Sequence, residues 1–166
     1  MTPLDVALTL WSMGFLPEEE LVSWVDAQIL ASDRPAAELL EISLQGIASY
    51  LKRPASEFPA RPLELSFVEE FSLRAVLLDS TAELEVAQFV EWTTRRCMGE
   101  ELEQPEVRLG YLLDHLWWDC NDRAGAIRLL GEQLPSLMPR CHTSASQLLA
   151  CVSDISPRFR KMKRSE

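Results

Sequence analysis

The sequence predicts an all-α protein, an irregular bundle of about eight helices; stacked helical hairpins are the other arrangement open to it. Three observations predict this class. Helix-start signals recur along the whole chain, apolar residues follow them at spacings of three and four, and no segment alternates apolar and polar residues as a strand would. No Asn-Gly or Asp-Gly hairpin signal is present either. A chain of 166 residues, 47% apolar and 25% charged, is long enough to bury a core without a metal or a disulfide.

Thr2 before Pro3, with Asp5 beyond, starts the first helix, and Leu4, Ala7, Leu8 and Trp11 form its inner stripe. Gly14 supplies a left-handed stop. Pro17 opens a second helix, whose positive end is loaded with Glu18, Glu19 and Glu20 and whose inner face is Leu21, Trp24, Val25 and Gln28–Ile29. Asp33 and Pro35 start a third, with Leu40, Leu44, Ile47 and Leu51 expected inward. Pro54, Pro59 and Pro62 then forbid a continuous helix over 52–63, which reads as a long connection rather than a domain boundary.

Ser66 with Glu69 and Ser80 with Glu83 form capping boxes for helices at about 67–79 and 81–98, the second ending at Gly99. Pro105 opens a sixth helix with Leu109, Leu112, Leu113 and Leu116 inward. Asn121 and Asp122 separate it from a seventh at about 123–134, which is expected to stop before Pro135. Ser144 and Gln147 resemble a last capping box, opening an eighth helix that runs to about Ser153.

Charge divides the chain into a single acidic helical domain, 1–154, and a basic tail, 155–166. The domain holds 25 of the 26 acids and 11 of the 16 bases, a net −14; the tail is Arg158, Arg160, Lys161, Lys163 and Arg164 against one acid, a net +4. A −14 body repels nucleic acid and anionic membrane and attracts cationic partners. The tail offers a small phosphate-contacting segment or, more plainly, a solvated end. The start of the chain lacks a basic secretion-signal region, and no apolar run approaches the ~20 residues that span a bilayer. The four cysteines are therefore expected to be thiols in a reducing cytoplasm, mostly as small buried hydrophobes.

Few chemistries are indicated. The six glycines form no phosphate-binding loop, so no nucleotide cofactor is implied. Cys141 and His142 are adjacent and Cys151 follows, but no close Cys pair of the zinc type exists; Asp114, Asp119 and Asp122 are spread too widely around a helix for a divalent ion. No cofactor or metal is expected. His115 and His142 could each serve a Cys or Ser, yet no nucleophile signature surrounds one.

The segment from Tyr111 to Asp122 is the most informative. With the leucines of the sixth helix inward, Tyr111, Asp114 and Trp118 lie opposite at i, i+3 and i+7. An outward Tyr–Asp–Trp stripe suits protein recognition, where aromatic anchors ringed by polar groups carry most of the energy. The plain alternative is a central helix that buries Trp118 in a second layer. Glu100, Glu101, Glu103 and Glu106, in the preceding loop, either compensate a helix dipole or form a docking patch for a basic protein. A second acidic cluster, Glu18 to Glu20 with Asp26, carries the same two readings.

Between Leu10 and Leu44, the order Leu10-Trp11, Gly14-Phe15-Leu16, Val22, Trp24, Asp26, Ile29 and Glu41-Ile42-Ser43-Leu44 resembles small helical bacterial immunity proteins of polymorphic toxin systems. The likeness covers about a fifth of the chain and carries no catalytic motif. It implies a protein that binds a cognate toxin tightly and blocks it, and it transfers no interface residues.

The expected function is an immunity or inhibitor protein that neutralises a cognate bacterial toxin by occlusion, with no reaction of its own. The partner would present a basic surface; neither nucleic acid nor membrane is expected, and the sequence sets no oligomeric state. The partner-binding candidates are Tyr111, Asp114 and Trp118 as anchors, with Glu100, Glu101, Glu103 and Glu106 steering. Two rivals are a secretion-type chaperone or adaptor that binds a client protein, and an enzyme of unknown class. The enzyme would require carboxylates or a Cys–His pair converging in a closed pocket.

Overall fold

The computed structural model describes residues 1–152 and residue 155. They form eight α-helices and one π-helical turn, with no strand among the described residues. The expected all-α class is observed. Of the basic tail expected at 155–166, Ile155 is described and 156–166 lie outside the described residues.

The chain gathers into two compact units. The first is Met1–Glu64 with the described residues from Leu148 onward; the second is Leu65–Gln147. The change of unit at Glu64–Leu65 falls just after the proline-rich stretch.

In the first unit, α1 (Pro3–Ser12) begins at a reciprocal cap: Thr2 Oγ1 accepts from the Asp5 amide and the Asp5 carboxylate accepts from the Thr2 amide. Gly14, at φ +80°, turns the chain out of the helix, and the Phe15 amide returns to the Leu10 carbonyl at 2.9 Å. In α2 (Glu18–Leu30), Leu21 and Val25 are fully buried, Trp24 and Ile29 half-buried, and Gln28 is exposed rather than inward.

The expected third helix is two. Gly46, at φ +79°, breaks it into α3 (Ala37–Gln45) and α4 (Ile47–Tyr50). Within α3 Ile42 is buried, while Leu44, about 200° further round the helix, is 76% exposed; Ile47 is buried after the break. The proline-rich stretch has no helix, yet it is tied down. Buried Tyr50 donates to the Ala60 carbonyl at 2.9 Å, Arg61 donates to the Phe58 and Ala60 carbonyls, and the Leu63 amide donates to Thr9 Oγ1 at 2.8 Å.

In the second unit, α5 (Phe67–Leu77) starts at the expected Ser66–Glu69 box, whose hydrogen bonds hold the Glu69 carboxyl below its ordinary pKa. Helix α6 (Glu83–Arg96) does not use Ser80: its N-cap is Ala82, and Asp79 instead accepts from the Thr81 amide and hydroxyl. Phe67, Phe71, Phe89 and Trp92 form the aromatic centre between these helices, with Phe67 stacked on Trp92 at 5.7 Å. Helix α7 (Pro105–Asp114) runs into the π-turn His115–Asp119. It packs closely on α6, because a Cβ built on Gly110 would stand 2.6 Å from the Cys97 Cβ.

The expected seventh and eighth helices are one. Helix α8 (Arg123–Val152) continues through Pro135 and Pro139, and Ser144 lies inside it rather than capping a new start. An internal proline costs about 3 kcal/mol. Against that, Ala126, Leu130, Leu134, Leu137, Cys141, Ala145 and Leu148 form one buried stripe at helical spacing across both prolines. Each buried leucine contributes about 1.5–3 kcal/mol, so burial outweighs the lost hydrogen bonds. Splitting one expected helix and fusing two leaves the count of α-helices at eight.

Candidate protein-interaction surface

The sequence-derived candidates all lie in the second unit, on the loop after α6, on α7 and on the π-turn. Gly99, at φ +87°, ends the α6 segment, and its amide donates to the Tyr111 hydroxyl at 3.0 Å. Arg108 Nη2 donates to the Glu103 carbonyl at 3.3 Å. These two bonds from α7 side chains fasten the loop that displays Glu100, Glu101 and Glu103, all exposed.

Trp118 is 49% exposed, so it is not buried in a second layer. Its indole N–H donates to Thr94 Oγ1 at 3.1 Å, and the buried Thr94 hydroxyl donates to the Glu91 carbonyl at 3.0 Å. The ring is thus oriented by a hydrogen bond while about half of the residue's surface stays exposed. Asp114 and Tyr111 are half-buried. Partial burial raises the Asp114 carboxyl above its ordinary pKa, and the neighbouring Asp119 charge adds to the rise.

Two expectations change. The inner face of α7 is Val107, Leu109, Gly110 and Leu113, continued by Trp117, whereas Leu112 is 54% exposed. Glu106 does not join the acidic patch. It is 1% exposed and pairs with Arg140 Nε of α8 at 3.2 Å; its second carboxylate oxygen has no hydrogen-bond partner. The helical turn after Pro105 points it inward, away from Glu100, Glu101 and Glu103. The exposed surface gains apolar residues that the charge pattern hid: Met98 and Leu102, each more than half exposed. Leu102 lines an open depression with Glu101, Glu103 and Arg108.

The π-turn adds a group that spacing alone conceals. His115 Nδ1 lies 3.1 Å from Asp119 Oδ2, and Cys120 Sγ lies 3.4 Å from His115 Nε2. On an α-helix, residues five apart point about 140° away from each other. Here the Cys120 amide donates to the His115 carbonyl at 2.9 Å, an i to i+5 closure that stacks the two side chains. The three are exposed on the surface, not enclosed in a pocket.

The first unit carries a separate groove of about 380 Å³, lined by Leu4, Trp24, Leu39 and Pro59 with Asp5 and Glu38 among its polar groups. Among the described residues, no group of three or more His, Cys, Asp or Glu side chains is arranged to hold a metal ion, and no helix is long and apolar enough to cross a membrane. Comparison with family models, curated proteins and solved structures finds no match.

Proposed function

We propose that this protein is a binding protein of the immunity or inhibitor type, which captures a basic toxin domain and blocks it by occlusion, without catalysing a reaction. The observation that carries the reading is Trp118: a large aromatic ring, half exposed and oriented by its bond to Thr94, in the same compact unit as the loop bearing three exposed carboxylates. A preoriented aromatic loses little conformational entropy on binding, and such residues dominate interface energetics. Glu100, Glu101 and Glu103 supply a negative field that accelerates encounter with a cationic surface. Met98 and Leu102 add apolar area to the same loop. Glu106, paired inside, takes no part.

The reading is tested by co-expressing the chain with toxin domains encoded beside its gene and scoring growth rescue and co-purification. Neutralisation of one of them, with association slowing as salt rises, is the expected result. If every neighbouring toxin kills unabated and none co-purifies, the proposal is wrong.

A further inference from the structure

We propose that Cys120 is a base-assisted nucleophilic thiol that exchanges with small cationic disulfides, forming a mixed disulfide on the π-turn. The inference does not depend on the toxin-binding reading. Its basis is the linear order Cys120 Sγ, His115 Nε2, His115 Nδ1, Asp119 Oδ2, with separations of 3.4 and 3.1 Å at its two ends. The Asp119 carboxylate can only accept, so it favours the tautomer whose proton sits on Nδ1. That leaves the Nε2 lone pair facing the sulfur. A thiol, an adjacent base and a third group orienting the base are the requirements for an activated nucleophile.

Access distinguishes this cysteine from two of the others. Cys97 and Cys141 are buried, and burial pushes the Cys97 thiol up to about 11. Cys120 is exposed, at the bend where Asn121 takes φ +49° before α8 begins. No closed pocket surrounds it, which suits a stoichiometric modification by a small reagent rather than turnover of a bound substrate. The turn is acidic on balance: Asp119 belongs to the relay, Asp114 lies close enough to feel its charge and Asp122 follows, against one cation, Arg123, which lies over the Trp117 ring at 5.2 Å. A disulfide carrying amines is therefore favoured over one carrying carboxylates.

The step balances without a further oxidant. The Cys120 proton passes to His115 Nε2 as Sγ attacks one sulfur of the disulfide. The old S–S bond breaks, its electron pair leaves with the second sulfur, and that sulfur takes the proton from His115 to depart as a thiol. Cys120 is oxidised and the departing sulfur is reduced.

The experiment follows the full chain by peptide mass mapping after mixing with cystamine or oxidised glutathione at low salt. At pH 7, His115→Gln should slow cystamine labelling of Cys120 on the order of 10-fold or more, because a positioned base contributes at least that much to a proton transfer. Asp119→Asn should slow it several-fold. At pH 10 hydroxide can take the proton in place of the neighbouring base, so wild-type and His115→Gln rates should converge. Equal rates at pH 7, or a difference that persists unchanged at pH 10, would overturn the base role. Faster labelling by oxidised glutathione than by cystamine would overturn the substrate class. His115 and Asp119 are both exposed, so neither substitution opens a core, and circular dichroism checks each fold.

Discussion

The Trp118 indole N–H donates to the Thr94 hydroxyl at 3.1 Å, joining the π-turn after α7 to the last turn of α6. The bond orients a half-exposed ring, and this is what makes the ring a candidate anchor. Trp118→Ala should weaken binding to a neutralised toxin by about 2 kcal/mol or more, roughly 30-fold in Kd, the scale of interface hot spots. Because the ring is half exposed, Tm should fall only slightly. Calorimetric titration of both proteins checks the split; unchanged affinity removes Trp118 from the interface.

Gly110 is where α7 comes closest to α6. Gly110→Ala places a Cβ 2.6 Å from the Cys97 Cβ and 3.4 Å from a Thr93 methyl, with no flexible side-chain end to yield. Overpacking of this kind costs about 1–3 kcal/mol, more than alanine's gain in helix propensity. The urea midpoint should fall with the slope of the transition unchanged.

Glu106 is buried beside a partner that is itself 58% exposed. Removing the partner in Arg140→Ala strands the carboxylate and should cost about 1–3 kcal/mol, below the full range for a buried pair because Arg140 is partly solvated. Glu106→Met, of similar volume, should be neutral or stabilising. A larger loss for Glu106→Met than for Arg140→Ala, measured by urea unfolding, would reverse this account.

Asp114 predicts a pH dependence. Its carboxyl is raised in the folded protein, chiefly by burial and then by the Asp119 charge, so the folded state holds this proton more tightly than the unfolded chain does. Stability therefore falls as pH rises from the unfolded value of 3.8 through the raised one, and the charged form remains a cost at neutral pH. Asp114→Asn should raise Tm at pH 7, and the gain should shrink as pH approaches and passes below 3.8. Thermal melts across pH 3–8 test the sign.

Pro135 lies inside α8 and donates no hydrogen bond to the preceding turn. Pro135→Ala should stabilise the protein by up to about 3 kcal/mol, since the helical path is already held by buried Leu130, Leu134 and Leu137. Loss of stability on this substitution, in the same urea assay, would mean that a proline-dependent bend is needed for packing.

The exposure of the candidate residues is partly legible in the sequence. Helical spacing sets Trp118 apart from buried Leu109 and Leu113, and the charge pattern marks the exposed Glu100, Glu101 and Glu103. Leu112 and Glu106 were misplaced because an amphipathic pattern locates a face only to within a residue or so, and burial then follows the partner helix. Pairing with Arg140, 34 residues away, leaves no local trace. The Cys120–His115–Asp119 relay escaped because a separation of five places residues apart on the helix that the sequence predicts.

The sequence by itself determined the all-α class, the acidic body and several helix starts, among them Thr2–Asp5, Ser66–Glu69 and Pro105. Those signals act between residues within one turn of each other, so neighbours suffice to set them. Only the tertiary structure decided that Gly46 breaks a helix, that α8 runs through two prolines, and that the π-turn brings Cys120 over His115. Each of these trades a local backbone cost against the burial of apolar surface, and that surface exists only once distant segments have packed together.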